Sequence, residues 1–262
     1  MAQQRTVDQL NAELYDLSTP DWRGEIDFYR DYAKATKARG QALLDVGCGT
    51  GRVAIRLAPD STKILGVDLN PAMLEQAQRK SGNVANVRWM QGDMRALDLG
   101  ETFGLILVAG HSFQSLLTVK EQVACLDSLK RHLAPSGTII IHIDHQDVSW
   151  LGDVRRFLGG TFGEGQDYKN PQTHHSFRRE NSWTYDPVTQ TSAVITRWTE
   201  QDAEGRIVQK WETKALQIHC IFRFEMEHLL ARTGLHVEGL YGDFFKNELA
   251  SDSTEMIWVL KR

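Results

Sequence analysis

Apolar and polar positions follow two different rhythms along the chain. Residues 8–39 carry apolar side chains at helical spacing, interrupted at Ser18-Thr19-Pro20. Two amphipathic helices are expected there, with Asp21 placed to cap the second. From about residue 42 to 144, short β-prone apolar runs alternate with helical segments. Residues 42–48, 63–69, 87–92, 103–109 and 137–144 read as strands, and 52–58, 72–81 and 120–133 as helices between them. Apolar strands separated by helices argue for a parallel sheet covered on both faces, with right-handed crossovers.

The rhythm changes after Asp144. Gly159, Gly160, Gly163 and Gly165 predict a mobile loop over 145–170. Residues 176–185, 192–199 and 207–218 then alternate and are rich in Trp, Thr, Val and Ile. They are joined by the turn sequences Asp186-Pro187-Val188-Thr189 and Ala203-Glu204-Gly205-Arg206, which together read as an antiparallel insertion. A helix over 222–233, stopped by Gly234, and closing strands over 236–244 and 255–261 finish the chain. The expected division is a helical lid over 1–40, a ligand-binding core over 41–145, an inserted β cap and substrate region over 146–220, and a C-terminal helix and hairpin over 221–262 that complete the core.

Composition narrows the class without naming a function. At 262 residues, with 41% hydrophobic and 24% charged side chains, the chain suits one α/β core with an insertion. A formal net charge of −4 and the lack of Lys/Arg runs argue against nucleic acid or an anionic membrane as partner. No apolar signal core opens the sequence, and no apolar stretch approaches the roughly 20 residues of a spanning helix. A cytoplasmic location is expected, and the three scattered cysteines, Cys48, Cys125 and Cys220, fit neither a disulfide framework nor a metal-ligand spacing.

The most informative segment is Leu44-Asp45-Val46-Gly47-Cys48-Gly49-Thr50-Gly51, between the first core strand and a helix beginning at Arg52. Strand, glycine turn and helix N-terminus together present backbone N–H groups to a ligand. The third glycine comes one residue too early for the dinucleotide pattern, and Asp45 would repel a pyrophosphate and favour an amino group. The second strand ends in Asp68, about twenty residues on, where a carboxylate can accept both hydroxyls of a ribose. The third ends Gln91-Gly92-Asp93-Met94, where Asp93 can accept from an adenine amino group. Three carboxylates at successive strand ends describe a ligand with an amine, a ribose and an adenine but no phosphate, which is S-adenosylmethionine. Each acid also has a plain structural alternative as a cap or turn former.

With these motifs in order the chain resembles the class I (Rossmann-like) S-adenosylmethionine-dependent methyltransferases of the small-molecule type, with a β insertion after strand five. The resemblance extends through Gly66–Leu74, Phe103–Val108 and the turn Leu133–Thr138, although Gly104 stands where the family often has Asp. It implies a doubly wound, seven-stranded, mostly parallel sheet with an antiparallel C-terminal hairpin, an N-terminal helical lid and an inserted antiparallel sheet. It implies S-adenosylmethionine as cofactor, S-adenosylhomocysteine as product, and Asp45, Gly47, Cys48, Gly49, Arg52, Asp68, Leu69, Met73, Gly92, Asp93 and Met94 as its contacts. Ala109 and Gly110 would lie beside the sulfonium arm, and Tyr15 and Tyr29 would close the cleft from the lid. Arg52 either binds the methionine carboxylate or is a solvated first-turn residue.

The acceptor is less legible. The Asn/Asp-Pro-Pro-aromatic motif of nucleic-acid amino-methyltransferases is missing after the fourth strand, where the chain reads Ala109-Gly110-His111-Ser112. His111 is the first candidate for a catalytic base, with His142 and His145 behind it. His142 and Asp144 share a strand face and are placed for an acid–imidazole pair; the same ends could coordinate a divalent metal, as in some catechol-type enzymes of this class, but carboxylates are few and no metal is expected. Trp183 and Tyr185, with Trp198 and Trp211 on neighbouring strands, form either an aromatic acceptor wall or the core of a small sheet. Arg179 and Arg223 are candidates for an acidic substrate group. The expected activity is methyl transfer to nitrogen or oxygen of a small metabolite, with a homodimer as the candidate assembly. A protein or RNA methyltransferase, or a non-catalytic S-adenosylmethionine-binding protein, is the alternative.

Overall fold

The computed structural model describes residues 5–19, 21–171 and 173–262. Helices α1 (Val7–Ser18) and α2 (Glu25–Ala38) precede β1 (Leu43–Val46), α3 (Arg52–Leu57), β2 (Ile64–Asp68), α4 (Pro71–Ser81), β3 (Val87–Gln91), β4 (Phe103–Val108), α5 (Val119–Arg131) and β5 (Leu133–Asp144). There follow α6 (Val148–Asp153), β6 (Gln166–Lys169), β7 (Ser176–Asp186), β8 (Thr191–Gln201), β9 (Ile207–Glu212), β10 (Leu216–His219), α7 (Arg223–Thr233), β11 (His236–Tyr241) and β12 (Glu255–Lys261).

The large sheet has seven strands in the order β11-β12-β5-β4-β1-β2-β3. Strands β1 to β5 are parallel, and β12 runs antiparallel to both β5 and β11. The order reverses between β4 and β1, and ligands of open α/β sheets bind at such a switch point, beyond the carboxyl ends of the strands. The β12–β5 register sets Glu255 opposite Asp144, so the start of the last strand reaches that same edge.

Strands β1 and β4 are buried at every position because helices cover both faces. On one face Phe28, Tyr29 and Ala33 of α2 pack with Leu43, Leu105, Leu107, Ile257 and Val259. On the other, Leu126 and Leu129 of α5 and Met226 and Leu230 of α7 pack with Leu44, Ile106, Ile139 and Trp258. Local signals agree with this packing. Thr118 and Glu121 form a capping box on α5, and Asn70 caps α4 ahead of Pro71.

Two compact units emerge, one of Asp21–Gln146 with Ile221–Arg262, the other joining α1 to Asp147–Cys220. The boundaries differ from a 1–40 lid because the apolar stripe of α2 is spent on the large sheet. Within the other unit, Leu14 of α1 packs with Phe177 and Trp198, and Trp211 donates to Asn11 Oδ1 at 3.3 Å. The small sheet has the order β10-β8-β7-β6, with β9 also paired to β8.

Several local expectations are corrected. The segment 145–170 is not one loop: Asp147 caps α6 with bonds to the amides of Ser149 and Trp150, and β6 pairs with β7. The run 207–218 splits in two because the Thr213 hydroxyl accepts from the Thr196 amide at 3.0 Å, in place of a ladder carbonyl. Asp21 does not cap α2, whose first turn follows Gly24 at φ +85°; it pairs instead with Arg52 and Arg56. Among the described residues no helix is long and apolar enough to cross a membrane.

Candidate active site

The glycine turn after β1 is built as its sequence requires. Gly47, Gly49 and Gly51 have φ of +69°, +54° and +76°, the left-handed region that L side chains rarely adopt. The Gly47 and Cys48 amides donate to the Val67 carbonyl at 2.8 and 3.0 Å, which ties the turn to β2. A Cβ at Gly47 would lie 2.7 Å from Ser112, and one at Gly51 2.4 Å from the Trp89 ring. Cys48 is buried as a filler, and burial pushes its thiol pKa up.

Beside the turn lies a cleft of about 330 Å³ lined by Gly47, Asp68, Leu69, Gly92, Asp93 and Met94. Val46, Val67, Arg95, Ser112, Ser115 and Leu116 complete its wall. Asp68 Oδ2 accepts from the Gly49 amide and Oδ1 from the Asn70 amide, both at 2.8 Å, so this carboxylate holds the turn against β2. Burial raises the Asp68 pKa, although these amide bonds oppose the rise. Arg95 grips Asp93 through Nε at 3.0 Å and Nη2 at 2.6 Å and lowers its pKa. Met73 lies half-buried on α4, outside the cleft lining.

Asp45 is 1% exposed, and its Oδ2 has no hydrogen-bond partner among the described residues. Burial raises its pKa to about 7, against the pull of Arg52. An orphaned buried carboxylate oxygen is costly unless a ligand completes it. This oxygen, the glycine cradle and the strand-end acids fit S-adenosylmethionine: Asp45 would hold its amino group, Asp68 the ribose and Asp93 the adenine amino group, with Leu69 and Met94 in the same cleft wall.

Arg52 is buried rather than solvated, and its guanidinium meets two carboxylates of this chain. Its Nη1 and Nη2 bond both oxygens of the fully buried Glu25 at 2.5 and 2.9 Å, and Nη1 also reaches Asp21 at 2.9 Å. The guanidinium lies 5.4 Å over the Trp22 ring. Ala109 is buried; Gly110 has φ +58°, and a Cβ there would come no closer than 3.9 Å, to Arg52 Nη2.

Four side chains meet where β4, β5 and β12 end or begin. His111 Nδ1 is 2.9 Å from Asp144 Oδ1, and Glu255 Oε2 accepts from His111 Nε2 at 2.8 Å and His142 Nε2 at 2.7 Å. Trp22 Nε1 donates to Glu255 Oε1 at 2.8 Å, and its ring meets both imidazoles edge-on at 4.9 Å. Burial works against a charged His111 ring, but its bonds to Asp144 and Glu255 prevail and raise its pKa to about 9. Burial would raise Glu255; its bonds to the two histidines hold it at about 2 instead. His142 is wholly buried, which lowers its pKa.

The expected pairing is therefore redistributed: Asp144 binds His111, and His142 binds Glu255. Both Glu255 and Trp22 escaped sequence reading. His145 is not part of the group, since its Nδ1 bonds the Ser253 carbonyl at 2.8 Å. Tyr29 is fully buried against Phe28 and Phe244, among the charges of Glu25, Arg52 and Asp45, and not on a substrate face. Tyr15 is half-buried on α1, in the other unit.

The remaining substrate candidates are engaged locally. Trp198 and Trp211 stack with centroids 6.1 Å apart under α1 and belong to the core of the small sheet, while Trp183 is half-buried and packs edge-on to Trp150 at 5.3 Å. Tyr185 is half-buried on the same strand. Arg179 bonds the Ser18 carbonyl and Gln166. Arg223 is exposed on α7 and pairs with Glu227 at 2.9 Å.

Seven strands in this order, a glycine cradle at the switch point and strand-end acids define a methyltransferase core. Residues 43–137 match the methyltransferase domain family. A dTDP-4-amino-2,3,4,6-tetradeoxy-D-glucose N,N-dimethyltransferase of Saccharopolyspora spinosa is 33% identical over 200 residues, covering 74% of each chain. The chain belongs to the class I S-adenosylmethionine-dependent methyltransferases. It is also 24% identical over 263 residues, all of both chains, to the cypemycin N-terminal methyltransferase of a Streptomyces species. S-adenosylmethionine-bound CalS10, an amino pentose methyltransferase from Micromonospora echinaspora, superposes with a TM-score of 0.71 at 25% identity over 99% of each chain.

Proposed function

We propose that this enzyme N-methylates a small amine-bearing metabolite, of which an amino sugar carried on a nucleotide is the first example to test. The carrying observation is that both ring nitrogens of His111 are committed to carboxylates, Asp144 at 2.9 Å and Glu255 at 2.8 Å. A hydroxyl acceptor needs a base to remove its proton, whereas a neutral amine attacks with its own lone pair. With a pKa near 9, His111 is an imidazolium at neutral pH and is not that base. Bound S-adenosylmethionine supplies a methyl group activated by a sulfonium. The protein's part is to hold, orient and keep water from the reactants.

Relatives named for amino-sugar dimethylation and amino pentose methylation support the same class. The test is a matched pair of acceptors, dTDP-4-amino-2,3,4,6-tetradeoxy-D-glucose and its 4-hydroxyl counterpart, with S-adenosylhomocysteine release as readout. Turnover of the amine alone is expected. Comparable turnover of the hydroxyl compound, or methyl label found on protein or RNA, would contradict the reading.

A further inference from the structure

Glu255 belongs to no cofactor motif, yet its carboxylate joins three other side chains at the strand ends. Its Oε2 receives both histidine Nε2 atoms, and its Oε1 receives Trp22 Nε1. The backbone around His111 is equally constrained: φ is +65°, and its amide donates to the His142 carbonyl at 3.2 Å. A non-glycine residue persists in that conformation only where its surroundings over-determine it. Ser112, the next residue, lines the cofactor cleft. His111 is thus fixed one residue from the cleft, by backbone on one side and two carboxylates on the other.

We infer that Glu255 is a positioning residue for methyl transfer: through the last strand it fixes the His111 ring beside the acceptor position. The inference rests on the amine-acceptor reading. The charges facing His111 are Asp144 and Glu255, with His142 next to Glu255 and the Glu25–Arg52 pair beyond Trp22. With His111 charged and His142 neutral, the four groups sum to one negative charge. That balance favours a cationic donor and an amine acceptor at this edge. Removing the Glu255 charge leaves the group neutral and withdraws the partner of both imidazoles. Asp144, 34% exposed, is the carboxylate of the group most open to solvent.

The test compares wild type with Glu255→Gln, which keeps the shape and removes the charge. In ring-nitrogen NMR spectra the wild-type His111 should stay doubly protonated through pH 8, and in Glu255→Gln its midpoint should fall by about one unit or more. S-adenosylmethionine binding by calorimetry should change less than about threefold, while kcat on dTDP-4-amino-2,3,4,6-tetradeoxy-D-glucose should fall about tenfold or more with little change in KM. Glu255→Asp should recover part of both. If Glu255→Gln does not fold by circular dichroism, Glu255→Asp, which keeps the charge and shortens the reach to both imidazoles, should still lower the His111 midpoint, by a smaller amount. A wild-type His111 that is neutral at pH 7.5, an unaltered His111 titration in Glu255→Gln, or one equivalent of a divalent metal by elemental analysis would overturn the inference. Should wild type ignore the sugar nucleotide, the amine reading fails on that acceptor, and the ring spectra still decide whether Glu255 holds His111.

Discussion

Asp45→Asn separates the cofactor's demand on this carboxylate from its cost to the unliganded fold. The Asp45 pKa rises from 3.8 to about 7 because the side chain is buried, and its Oδ2 has no partner among the described residues. For an acid whose folded pKa is raised, stability is full below the unfolded value and is lost as pH rises towards the folded one. The window here is about pH 4 to 7. A shift of about three units corresponds to at most ~4 kcal/mol, so Asp45→Asn should stabilise the unliganded protein at pH 8 more than at pH 5.

Cofactor binding should show the opposite trend if the ionised carboxylate meets the amino group. With a pKa of about 7, roughly 9% of Asp45 is ionised at pH 6 and roughly 76% at pH 7.5. Wild-type affinity for S-adenosylmethionine should therefore weaken about eightfold between pH 7.5 and 6, or ~1.2 kcal/mol. Asp45→Asn should bind more weakly at pH 7.5 and show a flat profile once the ligand's own titration is divided out. Calorimetry at four pH values, with urea unfolding in parallel, measures both effects. Identical pH profiles for the two proteins would refute the assignment of Asp45 to the amino group.

Three further perturbations address other parts of the site. Gly47→Ala puts a Cβ 2.7 Å from Ser112 at φ +69°, so it should cost about 1–3 kcal/mol in urea unfolding and abolish measurable cofactor binding. Arg52→Gln leaves Glu25, 0% exposed, without its bidentate partner and should destabilise by about 3–5 kcal/mol, whereas Arg52→Met with Glu25→Leu should recover much of that loss. Asp68→Ala removes the acceptor of the Gly49 and Asn70 amides as well as the ribose partner, and should weaken S-adenosylmethionine by at least about tenfold in calorimetry.

The fold and the cofactor cleft were legible because their signals are local. Asp45 and the three glycines lie in a single strand–turn–helix segment, and Asp68, Leu69, Asp93 and Met94 fall at strand ends that the βα rhythm locates. The histidine group was only half legible. His111 and His142 stand out at the ends of strands, but Glu255 joins them across 144 and 113 residues, through the antiparallel register of β12 on β5. Nothing near Glu255 in sequence signals that register. Trp22 and Glu25 reach the site for a similar reason: the packing of α2 carries them there. Arg52 was ambiguous because its partner lies on another helix. The glycines at 159–165 suggested a single loop, but they follow a helix that Asp147 caps and precede a short strand.

The most direct test of the account is the fate of the methyl group itself. Wild-type enzyme is incubated with ¹³C-methyl S-adenosylmethionine and the 4-amino sugar nucleotide, and the product methyl is assigned by carbon–proton correlation NMR. The account predicts a ¹³C methyl bonded to the sugar nitrogen, with one S-adenosylhomocysteine formed per methyl transferred. A methyl on oxygen or carbon, or cofactor consumption without a labelled amine, would contradict it.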